Sequence, residues 1–323
     1  MTGGRALVLK IDVDTHDGMR RGVPALLEIL RRHRVPASFC LSFGPDNSGK
    51  AIFRLLRDPA FLRKMWRTRA PRLYGWRTIV SGTLLPARNI ATAFPELVRQ
   101  IAGEGHEIIV HAWDHRRWQD HLGKMGIGQI RGEFDRAFTA FESILGRGPS
   151  AVAAPAWQVT HTSLTVQEQL QLRYASDLRN GPPCTLVVGQ DHFHTLQIAS
   201  TGPCVEELLT VGMHHEAELI EALLTPLREA VQPVLALHAE VEGGPFSAFF
   251  DRLLPRLLQQ HPEIIPMENA ANRILANTRA IPRRELHGIA LPGRPGLVAS
   301  SQELLPAMTR TEALRGLPSG HSA

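Results

Sequence analysis

Two carboxylates near the start of the chain have a spacing that suits chemistry on a bound cation. Asp12 and Asp14 follow the mostly apolar run Leu7–Ile11, with one residue between them. In an extended backbone, side chains two residues apart point to the same side, so the two carboxylates share a face. Carboxylates on one face repel each other unless a cation or a shared proton relieves them. One of the pair could therefore bind a metal while the other takes a proton from water, although Asp is also common in turns at strand ends.

Two histidines supply the stronger indication of a metal site. His111 and His115 are four residues apart, follow an apolar run, and would lie on one face of a helical turn. With one carboxylate they form a two-histidine, one-carboxylate set, which leaves coordination positions open for water and substrate. Zn²⁺ is the first expectation, with Co²⁺, Ni²⁺ or Mn²⁺ as alternatives. The chain has 15 histidines, so it is the pairing with Asp12 and Asp14 that favours a site over coincidence.

A third histidine ends another apolar run. His238 follows Leu235–Leu237, and an imidazole that faces a metal without binding it suits general-acid work. Such a group would protonate a departing amine, while the alternative is a hydrogen-bonded core histidine. Asp177, after Tyr174–Ser176, could orient this imidazole and raise its pKa.

The elements that must position these residues alternate between strand and helix patterns. Such alternation predicts an α/β fold with a mainly parallel sheet, and about seven strands suit a closed or nearly closed β/α barrel. The predicted strands are 6–12, 37–43, 107–111, 151–154, 173–176, 195–199, 234–239 and a short 264–266. The predicted helices are 23–33, 91–102, 128–145, 162–170, 214–230, 247–261 and 268–277. In a parallel barrel the carboxyl ends of the strands carry the chemistry, and these polar residues end the predicted strands.

Composition narrows the class of protein. The 323 residues carry a net charge of +5 and are 43% hydrophobic and 21% charged, which is typical of a globular protein. Three scattered cysteines exclude a disulfide framework and a four-cysteine zinc site. No apolar run reaches the ~18 residues of a membrane-spanning helix, and no secretory pattern opens the sequence. We expect a cytoplasmic protein, with a catalytic domain over residues 1–280 and a loosely ordered tail over 281–323.

One segment is strongly basic and aromatic. Residues 50–77 hold nine Lys or Arg residues against one acid, Asp58, with Phe, Leu, Met, Trp and Tyr interleaved. Nucleic acid, anionic lipid or a phosphorylated substrate could each bind such a segment, and a solvated helix face is the plainer alternative. We expect an amphipathic helical insertion over residues 50–88 that faces the membrane or the substrate.

Taken in order, these motifs resemble the NodB-homology polysaccharide deacetylases, carbohydrate esterase family four. The resemblance implies an irregular (β/α)₇ barrel that hydrolyses N-acyl groups of sugars with one divalent metal ion. Residues 154–157 stand at the third motif of the family. By position, the family's roles fall on Asp12 as base, on Asp14, His111 and His115 as metal ligands, on Asp177 as the fourth motif, and on His238 as acid.

A narrower resemblance is to the undecaprenyl-phosphate amino-sugar deformylases and deacetylases of lipid A modification. It is carried by Ile11–Thr15, Gly22–Pro24, Gly44–Asn47, Leu73–Trp76, Gly82–Thr83, His111–His115 with Trp118–Gln119, Tyr174–Asp177 and His238–Gly243. Substrate contacts are then expected from Trp157, Gln158, Arg179, Glu240, Tyr74, Trp76 and Trp113. The chain departs from the general family at 153–154, as the narrower group also does, and from the narrower pattern at Gln158 and 201–204; all lie where a sugar would bind. Formyl or acetyl, and arabinose or hexosamine, therefore stay open.

The narrower resemblance also implies partners and a location. The substrate would be an amino sugar on undecaprenyl phosphate, and deacylation would add positive charge to lipid A and so resistance to cationic antimicrobial peptides. The basic segment would bind anionic lipids of the inner leaflet, which places the protein peripherally on the cytoplasmic face of the inner membrane, without a nucleic-acid partner. Two alternatives remain: a deacetylase of a soluble or cell-wall N-acetylated saccharide, and a non-catalytic module that binds phosphate or membrane on a degenerate barrel.

Overall fold

A mostly parallel β-sheet forms the centre of the protein. The structure, a computed structural model, describes residues 5–51 and 86–302. The strands are β1 (Val8–Val13), β2 (Ser38–Ser42), β3 (Glu107–Ala112), β4 (Ala151–Val152), β5 (Tyr174–Ala175), β6 (Cys184–Val188), β7 (Asp191–Gln197), β8 (Val234–His238) and β9 (Arg283–Glu285). Their order in the sheet is β8-β1-β2-β3-β4-β5-β7-β6-β9, and the first seven of these run parallel. The predicted α/β architecture is confirmed.

Helices connect the parallel strands and cover the sheet. They are α1 (Val23–His33), α2 (Pro95–Gly103), α3 (His115–His121), α4 (Ile127–Leu145), α5 (His161–Gln169), α6 (Val205–Thr210), α7 (Glu216–Glu229), α8 (Ser247–Gln260) and α9 (Met267–Leu275). In α1, the buried side chains Leu26, Leu27 and Leu30 recur at helical spacing, while Arg31 and Arg32 lie exposed. The α1 boundaries are those predicted from this pattern.

The two outer parallel strands, β7 and β8, approach each other across the chain that leaves β7. The Thr201 amide donates to the Val234 carbonyl at 2.8 Å, and the Val234 amide donates to Thr201 Oγ1 at 3.2 Å. These bonds tie the chain just after β7 to the first residue of β8, so the seven parallel strands curl toward a barrel. Their carboxyl ends consequently meet at one edge of the sheet.

Several elements differ from the sequence-based prediction. The single strand predicted over 195–199 is the second arm of an antiparallel hairpin, β6–β7, which turns at Gly189 with a φ of 63°. The short strand predicted over 264–266 forms one isolated bridge, Ile264 to Leu7. The helices α3 and α6 were not predicted, because seven and six residues are too few for a helical period to show.

The segment after residue 282 corrects the prediction of a loosely ordered tail for residues 283–302. The strand β9 extends the sheet beside β6, and β10 (His287–Ala290) pairs antiparallel with β11 (Leu297–Ser300). The Arg179 amide donates to the Ala299 carbonyl at 2.8 Å, which fastens this hairpin to the barrel. Its Gly-, Pro- and Arg-rich composition concealed three buried apolar residues, Ile289, Val298 and Ala299. Residues 303–323 lie outside the described part of the chain.

The predicted basic insertion, including Tyr74 and Trp76, falls largely on residues 52–85, which lie outside the described residues. Its flanks are described. The Asp46 amide donates to the Arg88 carbonyl at 2.8 Å, and the Ile90 amide donates to the Gly44 carbonyl at 2.8 Å. Both flanks therefore join the fold just after β2, at the carboxyl edge of the sheet. Across residues 5–51 and 86–302, no helix has the length and apolarity to cross a membrane.

Candidate active site

The predicted base and the predicted acid end two neighbouring strands. Asp12 on β1 is in register with His238 on β8, and the side chains of both are largely buried. Parallel pairing places both at the carboxyl edge of the sheet, as expected for a barrel enzyme. The loop after β1 carries Asp14, and the end of β3 carries His111.

Asp14, His111 and His115 come together as predicted. The Nε2 atom of His111 lies 3.3 Å from Asp14 Oδ1, and that of His115 lies 3.4 Å from Asp14 Oδ2. The ligand atoms of the three residues lie within 4.8 Å of one another. His115 is presented by the first turn of α3, whose N-cap Asp114 accepts from the Arg117 amide at 2.9 Å. The short, N-capped helix α3 thus brings the imidazole of His115 next to that of His111.

The state of these donors suits a divalent cation. His111 Nδ1 donates to the Ala153 carbonyl at 2.7 Å, which leaves the lone pair of its Nε2 toward Asp14. Burial lowers the pKa of His115 to about 4, so this imidazole is neutral near pH 7. Burial opposes ionisation of Asp14, but His115 and His111 hold its pKa well below the ordinary value. Asp14 Oδ1 is buried without a hydrogen-bond donor among the described residues. Two imidazoles and one carboxylate are the donor set expected for Zn²⁺ and related ions.

Asp12 stays outside this donor set and has a cation of its own. Lys10 is fully buried, and its Nζ lies 3.6 Å from Asp12 Oδ1. Burial would raise the pKa of Asp12, but Lys10 and the nearby histidines keep it below the ordinary value. Asp12 is therefore an ionised carboxylate, as a base must be. Strand alternation placed Lys10 on the same face as Asp12, and this signal was missed.

His238 pairs with a residue that the sequence reasoning did not select. Its Nδ1 lies 2.9 Å from Oε1 of Glu206, near the start of α6, and its amide donates to Glu242 Oε2 at 2.8 Å. Burial would lower the pKa of His238, but Glu206 beside it raises that pKa well above the ordinary value. No local pattern marked Glu206, because α6 reaches β8 only through the tertiary fold.

Asp177 does not pair with His238, which corrects that expectation. One of its oxygens accepts from the Ala154 amide at 2.7 Å. The other accepts from Gln167 Nε2 at 2.9 Å and Gln197 Nε2 at 3.2 Å. The carboxylate is fully buried, and three donors already use it. Asp177 fixes the turn after β4 that leads to Trp157, and its effect on the site passes through that turn.

Trp157 and Arg179, both expected to contact substrate, have side chains that are buried in the protein interior. Each is 1% exposed. The guanidinium groups of Arg179 and Arg294 lie over the Trp157 ring, 4.3 and 4.5 Å from its centroid. Arg179 also binds Glu207 through two nitrogens, at 3.1 and 2.9 Å. Arg294, which supplies the second guanidinium, belongs to residues 283–302, which were expected to be loosely ordered.

Three other expected substrate contacts have structural partners. Glu240 accepts from the Thr15 amide and from Thr15 Oγ1, at 2.8 and 2.7 Å, and so holds the loop that carries Asp14. Trp113 packs on Gly44 so closely that any side chain at that glycine would collide with its ring. The Gln158 carbonyl accepts from Trp118 Nε1 at 3.1 Å, and the side chain of Gln158 is half-buried.

The chain is similar to several known proteins. The profile of the polysaccharide deacetylase family matches residues 4–175. A protein of Shewanella sediminis (strain HAW-EB3), named a probable 4-deoxy-4-formamido-L-arabinose-phosphoundecaprenol deformylase (ArnD), is 34% identical over 92% of this chain and 95% of its own. A Wigglesworthia glossinidia brevipalpis protein of the same name is 27% identical over 89% of this chain and 99% of its own.

A solved structure shows the same fold. This crystal structure, of a Mycobacterium smegmatis protein whose name assigns it to the polysaccharide deacetylases, superposes with a TM-score of 0.60 at 20% identity. The match covers 90% of this chain and 97% of that one.

Proposed function

Because this chain belongs to the polysaccharide deacetylase family, and is accordingly a hydrolase of amide bonds, we propose that it removes the formyl group of 4-formamido-L-arabinose carried on undecaprenyl phosphate. The observation that carries the proposal is the convergence of a three-residue donor set, an ionised Asp12 and His238 at one sheet edge. The formamide and its lipid carrier come from the name of the Shewanella relative. The product amine would add positive charge to lipid A, in keeping with resistance to cationic peptides.

The residues of the chain divide the work of amide hydrolysis. A divalent ion held by Asp14, His111 and His115 would supply an activated water and a polarised acyl carbonyl. Asp12, kept ionised beside Lys10, takes the proton of the attacking water. His238 gives a proton to the departing nitrogen as the carbon–nitrogen bond breaks. Formate and the sugar amine are the products, so the atoms of one water molecule are accounted for.

The basic segment supports a lipid-linked substrate. Its described flanks join the fold after β2, at the edge of the sheet that carries Asp14 and His111. A segment with nine basic residues between 50 and 77 can bind the substrate phosphate and the anionic inner leaflet. Each basic residue near such a surface contributes about 1 kcal/mol, which suffices for peripheral attachment. We therefore place the enzyme on the cytoplasmic face of the inner membrane.

A substrate panel tests the proposal. The purified protein, loaded with Zn²⁺, Co²⁺ or Mn²⁺, is offered the formamido-arabinose lipid, its acetamido counterpart, and water-soluble N-acetylated oligosaccharides. We expect release of formate from the first at a rate well above release of acetate from the others. Turnover confined to soluble saccharides would support the alternative deacetylase. A protein that binds metal but turns over no member of the panel would point to the non-catalytic alternative.

A strain with and without the gene provides the cellular test. Mass spectrometry of its lipid A should show loss of the amino-sugar addition when the gene is deleted, and restoration by the wild-type gene. The His115→Ala gene should not restore the addition. Lipid A that is unchanged by the deletion would contradict the proposed pathway.

A further inference from the structure

The acid of the proposed reaction depends on a carboxylate from a separate short helix. We propose that Glu206 is the positioning residue of His238, and that it holds the imidazole with Nδ1 protonated so that Nε2 is free to exchange a proton with substrate. The proposal rests on the proposed function only in that it takes His238 as the acid. It adds a residue outside all the sequence motifs that indicated the site.

The contacts of His238 leave Glu206 as the residue that fixes its ring. Oε1 of Glu206 lies 2.9 Å from Nδ1, while Glu242 binds only the backbone amide of His238. The Trp157 ring packs edge-on against the imidazole, with the ring centroids 6.3 Å apart, which limits tilting without choosing a tautomer. A carboxylate 2.9 Å from a ring nitrogen stabilises a proton on that nitrogen, so this ion pair favours a protonated Nδ1.

Glu206 is itself held by its neighbour along the chain. Glu207 receives Arg179 on both oxygens, Arg294 at 3.2 Å, and the Cys204 amide at 3.0 Å. This network anchors the first turn of α6, in which Glu206 also lies. Because the helix backbone is held, the Glu206 side chain can move only by changing its own rotamer, as a positioning role requires.

The C-terminal hairpin supports the same helix from outside. Gly293 lies directly on the Glu207 carbonyl, where any side chain would stand 2.4 Å from that oxygen. Its φ of 79° also favours glycine. The imidazole of His238 is therefore supported by Glu206, whose helix is held in turn by Glu207 and by the hairpin.

Kinetics of single and double variants test the proposal. Glu206→Gln keeps the shape of the side chain but removes its charge, so we expect kcat to fall about 10- to 100-fold, with KM and bound metal unchanged. Glu206 acts through His238, so adding Glu206→Gln to His238→Ala should cause little further loss. A purely structural residue would lower the rate by the same factor in both backgrounds, and that result would overturn the proposal. Glu218→Gln, an exposed glutamate in the first turn of α7, is the matched control and should keep wild-type kinetics.

A spectroscopic measurement separates this proposal from the proposed function. In ¹⁵N-histidine NMR of the full-length protein near pH 7, with His238→Gln used to assign the signal, wild-type His238 should show a protonated Nδ1, and Glu206→Gln should shift the ring toward loss of the Nδ1 proton. That shift in a protein without deformylase activity would refute the function alone. An active enzyme whose His238 signal and kcat are both unchanged by Glu206→Gln would refute the positioning role alone.

Discussion

Each important carboxylate at the candidate site has a different cationic or imidazole partner. Asp12 faces Lys10, Asp14 faces two imidazoles, and Glu206 faces His238. Because the partners are separate, the proposed base, metal ligand and positioning residue need not compete for one proton. Chemistry at this edge can therefore be dissected by single substitutions that affect one partner at a time.

Metal binding and proton transfer should separate cleanly at the residue scale. His115→Ala removes one of three ligands, so bound metal and activity should be lost together. Asp12→Asn should keep a stoichiometric ion but lower kcat by about 10²- to 10⁴-fold, as expected for loss of a general base. Elemental analysis beside initial rates checks both, and His121→Ala, at the exposed end of α3, is the control. Loss of metal in Asp12→Asn would mean that Asp12 is a ligand.

At the scale of elements, local sequence patterns predicted those features that depend on residues close together along the chain. The boundaries of α1 and the position of β1 follow from apolar periodicity, and Asp12, Asp14, His111 and His115 follow from strand ends. The partner of His238 could not be predicted this way, because α6 is brought to β8 by the Arg179–Glu207 pair and by a hairpin far along the chain. Asp177 was chosen for its place after a strand, but nearer donors satisfy it.

The start of β2 should make the fold sensitive to acid. The Ala37 amide donates to His106 Nδ1 at 3.1 Å, which requires that nitrogen to be unprotonated, and burial lowers the pKa of His106. The folded state thus favours neutral His106. This stabilisation is complete above the unfolded pKa of about 6.5 and is lost as pH falls from there toward the folded pKa, by up to about 1.4 kcal/mol per pH unit.

Urea unfolding at pH 7.0 and pH 5.0 measures this contribution. The difference in free energy of unfolding between the two pH values should be smaller in His106→Gln than in wild type. It will not vanish, because burial also lowers the pKa of His115 and His261. His215→Gln, an exposed histidine before α7, should leave the difference unchanged. An equal difference in wild type and His106→Gln would exclude His106 as a source of acid sensitivity.

The C-terminal hairpin should be required for the site, whereas the residues after it should not. Truncation after Pro282 removes Arg294 from Trp157 and Glu207, and exposes the apolar surface under Ile289 and Val298. We expect this variant to lose several kcal/mol of stability, since burial of each large apolar side chain contributes about 1.5–3 kcal/mol, and to lose activity.

Truncation after Gln302 is the matched comparison for the hairpin. It leaves every described contact of β9, β10 and β11 in place, so melting temperature and kcat should stay near those of the full chain. Thermal unfolding and initial rates of the two truncations show whether the hairpin is required for stability and activity. A Pro282 truncation as stable and active as the Gln302 truncation would mean that the hairpin is dispensable.

For the whole molecule, the relation between the catalytic edge and the bilayer decides access to substrate. In the proposed function the undecaprenyl chain of the substrate stays in the membrane, so the edge that carries Asp14 and His111 would have to face the bilayer. The insertion begins and ends at that edge, and combines aromatic and basic residues in its sequence. Apolar insertion and charge attraction are the two signals that reversible interfacial binding requires.

Removing charge from the insertion should therefore affect lipid-linked turnover selectively. The test variant replaces four basic residues with glutamine: Arg63, Lys64, Arg67 and Arg69. The control variant makes the same charge change on exposed helix positions elsewhere: Arg131, Arg228, Arg252 and Arg273. We expect the test variant to bind anionic vesicles more weakly than the control. It should also lose binding at lower salt, because screening weakens the charges that remain. The test variant should turn over the lipid-linked substrate much more slowly, while a short soluble analogue reacts at the wild-type rate. Equal losses on both substrates would assign these residues to folding or to the chemical step, and the catalytic edge would then have to meet its substrate without the insertion as a membrane contact.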